Sequence, residues 1–157
     1  MKRVSFLLMS LLISTNVLAT TTNLTFAGTA AAFCSFSGVN AGSMVVNPSN
    51  TAQIGTSVSG GTPGSFTIQY LGTPTVSIEE SHAFTTKPNG VSDSDFSFTY
   101  AVASGSSVSY TSNQGYMTAT YSGGSADQLT VQVLATKQNA QSVPLGNYAI
   151  SSTVTCQ

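Results

Sequence analysis

The chain has 157 residues, with only four Lys or Arg and five Asp or Glu. Two of the four basic residues, Lys2 and Arg3, lie at the N-terminus, so the remainder carries a net charge of 2 − 5 = −3. So few cations cannot neutralise a phosphate backbone or an anionic lipid surface, which argues against nucleic-acid and membrane-surface partners. The polar, solvent-exposed surface must therefore consist mainly of Ser, Thr, Asn, Gln and Gly.

The N-terminal stretch 1–19 has the pattern of a secretory signal. Two basic residues precede a short apolar run, and Val17, Leu18 and Ala19 match the small-residue pattern of a signal-peptidase site. The apolar run is short for a membrane span, and no second run of about 20 apolar residues follows it. We therefore expect export to the periplasm, cell surface or extracellular medium, with no transmembrane segment in the mature chain.

The remaining residues, 20–157, divide into short runs that alternate apolar and polar side chains, separated by Gly, Ser, Asn and Pro. After a first run around AAAFCSFSG, the candidate strands are GSMVVNP, GSFTIQYLG, PTVSIEE, SDFSFTYAVA, SVSYTS, GYMTATYSG, DQLTVQVLATK and NYAISSTVTC. No segment shows a convincing helical stripe between caps. Eight to ten strands with frequent turns predict an all-β protein with one domain over 20–157, an antiparallel β-sandwich.

The two cysteines, Cys34 and Cys156, both share the parity of apolar neighbours. Cys34 falls in line with Phe36 in the first run, and Cys156 falls in line with Ile150 and Val154 in the last. Two inward cysteines in an exported chain predict a disulfide that ties the first strand to the last. Free nucleophilic thiols are the alternative.

Several motifs resemble those of a known family. They are FAGTAAAFCSFSG, GSMVVNP, IGTSVSGGTPGSFTI and VQVLATKQNAQSVPLGNYAISSTVTC. Together they resemble bacterial secreted β-sandwich proteins of the spore coat protein U type, which are similar in turn to the pilin subunits of chaperone-usher systems. The resemblance implies an immunoglobulin-like or pilin-like sandwich and a structural cell-surface role, fimbria-like or coat-like. It implies self-association or other surface subunits as partners, and it brings in a periplasmic chaperone and an outer-membrane usher as candidate assembly partners.

Assembly in the better-known relatives proceeds by donor-strand exchange, in which an extended segment of one subunit completes the sandwich of the next. The segment TTTNLTFAGTAAAF could act as such a donor, because alternate side chains would enter successive pockets. The candidate donor positions are Leu24, Phe26, Gly28, Ala30 and Ala32. The alternative is that this segment is simply the protein's own first strand.

Few residues suggest catalysis or metal binding. Glu79, Glu80 and His82 lie within four residues, yet Glu79 has the opposite strand parity and no further ligand is visible. Asp93 and Asp95 form an Asp-x-Asp pair without the remaining oxygen ligands of a calcium loop. We expect a solvated strand end and a polar turn at these places, no cofactor and no enzymatic activity.

The alternative function is a monomeric module that binds a carbohydrate or a host surface. Tyr110, Tyr116 and Tyr121 lie in neighbouring polar runs, and they could form a stacking platform for a sugar if all three reached the surface. Tyr116 and Tyr121 have opposite parity, so we expect one of them in the core, and the chain has no Trp.

Overall fold

The computed structural model describes residues 27–29, 31–106 and 108–157. The expected signal peptide at 1–19 lies outside them. Within these ranges no helix is long and apolar enough to cross a membrane.

Ten strands and two short 3-10 helices make up the described structure. The strands are β1 (Phe33–Asn40), β2 (Val45–Val46), β3 (Gln53–Gly55), β4 (Gly64–Leu71), β5 (Thr75–Glu79), β6 (Phe96–Ser104), β7 (Thr111–Asn113), β8 (Tyr116–Thr120), β9 (Gly124–Lys137) and β10 (Val154–Cys156). The 3-10 helices are Asp93–Asp95 and Gln138–Ala140.

The strands form two antiparallel sheets. In the first sheet, the long strand β9 pairs with β6 along one side and with β4 and then β3 along the other, while β1 and β2 lie outside β4 and β3. The second sheet has the order β10-β5-β8-β7. The first sheet contains the strand order β1-β4-β9-β6, and the second sheet contains the pair β10-β5. This arrangement is that of immunoglobulin-like sandwiches. The prediction of an all-β, antiparallel sandwich is confirmed.

Side-chain parity determines the core between the sheets. In β4 the alternating residues Phe66, Ile68 and Tyr70 are buried, and in β9 Leu129 and Ala135 are fully enclosed. One buried cluster lies towards the end of the sandwich where β4 stops and β9 starts, and a second cluster, which includes Ile54, Phe84 and Phe96, lies towards the opposite end. Within the strands, the buried side chains are those that the alternation places on one face.

The predicted strand in the run 147–156 is too long. Only Val154–Cys156 pairs with β5, and residues 148–153 are irregular apart from a bridge between Ala149 and Thr86. The physical reason is the length of the partner, because β5 ends at Glu79 and offers no further ladder to pair with. The predicted strand at 107–112 is also too long, because only its last two residues belong to a strand, β7.

Candidate functional site

The predicted disulfide between Cys34 and Cys156 is present, with 6.2 Å between the two Cα atoms. Cys34 lies on β1, an edge of the first sheet, and Cys156 lies on β10, an edge of the second. The bond therefore joins the two sheets across one lateral side of the sandwich. We call this side, between β1 and β10, the seam.

Away from the disulfide the seam opens into a groove of about 370 Å³ between the sheets. Its apolar lining comes from both sheets and from the irregular segment before β10, and includes Val39, Met44, Phe66, Ile78, Val131, Val133, Ile150 and Val154. Thr56, Ser65 and Ser152 add hydroxyl groups. None of the described residues that line the groove is charged. An uncharged, mostly apolar segment is therefore the occupant that this surface suits.

A bulge in β1 directs Val39 into the groove. Ser37 pairs with Thr67 and Asn40 pairs with Ser65, so one extra residue is accommodated between them. Gly38 has φ +60°, a left-handed conformation that glycine adopts at little cost. Val39 consequently lines the groove beside Phe66, yet it is 75% exposed. An apolar side chain turned towards the core side but left uncovered marks a place where the sandwich is unfilled.

Two tyrosines of the groove lining, Tyr100 of β6 and Tyr148 of the irregular segment before β10, are held by side-chain hydrogen bonds. The Tyr100 hydroxyl donates a hydrogen bond to the Ser81 carbonyl at 2.7 Å, and the Tyr148 hydroxyl donates to the Pro144 carbonyl at 3.0 Å. Burial raises the pKa of the Tyr100 hydroxyl above its ordinary value. The outer side of β10 pairs with no described strand. Within the described ranges, the main-chain groups on that side have no strand partner, and an added strand could pair with them.

Asp127 lies at the other lateral side of the sandwich, where the chain passes from β6 in the first sheet to β7 in the second. Asp127 is 4% exposed, and its carboxylate accepts hydrogen bonds from the Ser104 hydroxyl, the Ser106 amide and hydroxyl (both 2.8 Å) and the Tyr121 hydroxyl (2.9 Å). Tyr110 extends this network through a 3.1 Å contact between its hydroxyl and that of Tyr121. We call this set the Asp127 cluster. Sequence reasoning missed it, although Asp127 has the inward parity of Leu129.

The three tyrosines named as an alternative ligand platform do not lie together on the surface, and one of Tyr116 and Tyr121 is in the core, as their opposite parity indicates. Tyr121 is 1% exposed and packs on Tyr70 with 4.7 Å between ring centroids. Tyr110 is half-buried against the same core cluster. Only Tyr116 is exposed. The hydroxyl of Tyr121 reaches a buried carboxylate, which explains why this tyrosine faces inward in a polar run.

The two acidic residues of the Asp-x-Asp pair each have their own partner. Asp93 forms an ion pair with Lys87 and accepts a hydrogen bond from the Phe84 amide, and these contacts hold the pKa of Asp93 below its usual value. Asp95 pairs with Lys137 at 3.4 Å. Both acids lie in the 3-10 helix directly before β6, where a polar turn was expected.

The group around His82 is also dispersed. Glu79 accepts a hydrogen bond from the Thr153 amide, Glu80 accepts one from the Ser112 hydroxyl, and His82 is exposed beside Phe98. Among the described residues no three metal-ligating side chains come together.

The candidate donor positions fall before β1. Gly28 and Ala32 are exposed and lie outside any strand, while Leu24, Phe26 and Ala30 are not among the described residues. The role of this segment as a donor therefore stays a prediction.

Comparisons with protein-family models, with curated proteins and with solved structures returned no match. The groove at the seam is therefore the feature of the structure that bears on function.

Proposed function

We propose that this protein is an exported structural subunit of the cell surface, fimbria-like or coat-like, whose seam is filled by an extended segment of a neighbouring copy. The observation that carries the proposal is the groove between the edges of the two sheets, where Val39 is 75% exposed and Met44, Val131, Ile150 and Val154 are only partly buried. Filling it would add a strand beside β10 and remove that apolar surface from water.

The chemistry of the N-terminal segment suits this groove. Residues 20–32 carry no charged side chain, and their alternate positions from Leu24 to Ala32 are apolar or glycine. A strand places alternate side chains on one face, so these positions would enter the groove while the intervening Thr and Ala residues face outward. An uncharged groove and an uncharged segment avoid the cost of burying an unpaired charge.

Export is part of the same proposal. The signal-like stretch at 1–19 would direct the chain out of the cytoplasm, and an oxidising compartment would allow the Cys34–Cys156 bond to persist. A periplasmic chaperone that shields the open seam before assembly, and an outer-membrane usher, are the corresponding partners. We do not propose the carbohydrate-binding alternative, because Tyr121 is buried and Tyr110 half-buried, which leaves Tyr116 as the one exposed tyrosine of the three.

The decisive variant is Val39→Asp. Because Val39 is 75% exposed, aspartate there should change the melting temperature of the isolated subunit little, whereas burying that carboxylate under an inserted strand would cost several kcal/mol. We expect native surface extracts of the wild type to give, without boiling, a ladder on a non-reducing gel that collapses on boiling. The Val39→Asp ladder should be lost, and Phe26→Asp on the donor side should have the same effect.

Leu145→Asp is the matched control. Leu145 is 97% exposed and does not line the groove, so the same chemical change should leave the ladder intact. A single monomer band from unboiled wild-type extracts would instead mean that the sandwich is sealed by its own chain, and a Val39→Asp ladder equal to the wild type would reject the groove as the assembly site.

A further inference from the structure

The outer edge of β6 differs from every other described edge. Its nine residues pair with β9 one for one, from Phe96 opposite Lys137 to Ser104 opposite Leu129, without a bulge. The other edges are blunted, since β1 is bulged and β2, β7 and β10 have only two or three residues. β6 contains no charged residue and no proline, the usual protections of an edge strand.

The main chain on the outer side of β6 has no described partner. No strand of the described ranges pairs there, and the backbone hydrogen bonds of nearby loops do not reach it. The hydroxyls of Ser97 and Thr99 donate hydrogen bonds to the β9 carbonyls of Thr136 and Leu134, each at 3.4 Å. These hydroxyls therefore do not bind the main-chain groups on the outer edge of β6. A row of N–H and C=O groups is therefore presented for pairing.

The strand is also held rigidly from within. Phe96 is buried against Phe84, with Lys137 Nζ 5.2 Å from its ring centroid. Tyr100 is anchored through Ser81, and Ser104 donates to the buried Asp127 carboxylate. Because β6 is already fixed at both ends and in the middle, adding a partner strand would order little further chain.

We propose that β6 pairs antiparallel with β6 of a second copy, joining the first sheets of two subunits into one continuous sheet. A pairing centred on Tyr100 places Thr99 opposite Ala101 and Ser97 opposite Ala103, all exposed, small and uncharged. It also places Asp95 opposite Gly105, so no like charges meet. The same patch serves both partners, as a two-fold interface requires.

This contact is independent of the groove. The Tyr100 side chain lines the inner part of the groove, but the pairing uses the main chain on the outer edge of β6, at the lateral side closed by the Asp127 cluster, whereas the groove opens at the seam between β1 and β10. Pairing through β6 would link subunits side by side, and filling of the seam would link them in series, so either can hold when the other fails.

The test is sedimentation velocity on the monomer fraction of the full mature chain, isolated and then reconcentrated over a wide range. We expect a dimer whose fraction rises with concentration. The double variant Thr99→Lys/Ala101→Lys places like charges opposite each other across the two-fold axis, and it should weaken association roughly tenfold or more. Hydrogen exchange of the peptide 96–104 should slow with concentration in the wild type but not in the Thr99→Lys/Ala101→Lys variant.

Two controls make the result specific. Gln69→Lys/Gln128→Lys adds the same charge at exposed positions on inner strands of the same sheet, and it should leave association unchanged. Val39→Asp should also leave this dimer intact, because it alters only the seam. A wild type that stays monomeric at every concentration, or a Thr99→Lys/Ala101→Lys variant that associates like the wild type, would overturn the proposal. Protection of 96–104 that is independent of concentration would do the same, because it would assign the edge to another segment.

Discussion

Cys34→Ser is expected to lower the free energy of unfolding by about 4 kcal/mol and the melting temperature by about 10 °C or more. The bond spans 122 residues of sequence, so its removal restores a large conformational freedom to the unfolded chain. It also removes the covalent link between the two sheets at the seam. Thermal unfolding under non-reducing conditions measures the change directly.

Reduction provides the control for this prediction. A thiol reductant should bring the wild type down to the melting temperature of Cys34→Ser and leave the variant itself unchanged. Cys156→Ser should match Cys34→Ser, and the double variant should be no less stable than either single variant, because one bond is lost in each case. Equal melting temperatures for wild type and Cys34→Ser would show that the bond contributes nothing to stability.

Asp127→Ala is expected to cost about 3 kcal/mol or more, a loss comparable to that of the disulfide. The substitution removes the acceptor of the buried Tyr121 hydroxyl and of the partly buried hydrogen bonds from the Ser104 hydroxyl and the Ser106 amide. Hydrogen bonds to a charged group are among the stronger ones in proteins, and unmatched donors pay their full desolvation cost. The midpoint of urea unfolding should fall accordingly.

Asp95→Ala is the matched control for Asp127→Ala. The Asp95 side chain is 46% exposed and its pair with Lys137 is 3.4 Å long, so its removal should cost less than about 1 kcal/mol. Similar losses for Asp95→Ala and Asp127→Ala would contradict the assignment of the Asp127 cluster as the structural centre of that side.

The Asp127 cluster also predicts how the free energy of unfolding falls at acidic pH. Burial alone would raise the pKa of Asp127, but the hydrogen bonds from Ser104, Ser106 and Tyr121 together hold it below its ordinary value. The contribution of Asp127 to the free energy of unfolding is therefore complete above its unfolded pKa of about 4, and it is lost as the pH falls through the lower pKa of the folded state. Asp127→Asn should flatten that part of the curve of unfolding free energy against pH.

Parity within single runs was a reliable guide because it depends only on neighbours in the chain. Phe66, Ile68 and Tyr70 alternate with polar residues, and a strand must then place them on one face. The same rule placed both cysteines inward and so predicted their bond. The rule failed for the run 147–156, where alternation is equally clear but the partner strand ends at Glu79.

The amino-acid sequence by itself therefore determined the all-β class, the strands with strong alternation and the disulfide pair, because each follows from local periodicity and from having only two cysteines. Only the tertiary structure decided that the seam stays open and that Val39 lines it, since both depend on a bulge at Gly38 and on where the edges of separate sheets stop. The Asp127 cluster likewise joins residues from three separate parts of the chain. Contacts between distant segments depend on how the sheets pack, and no spacing within a single run encodes that packing.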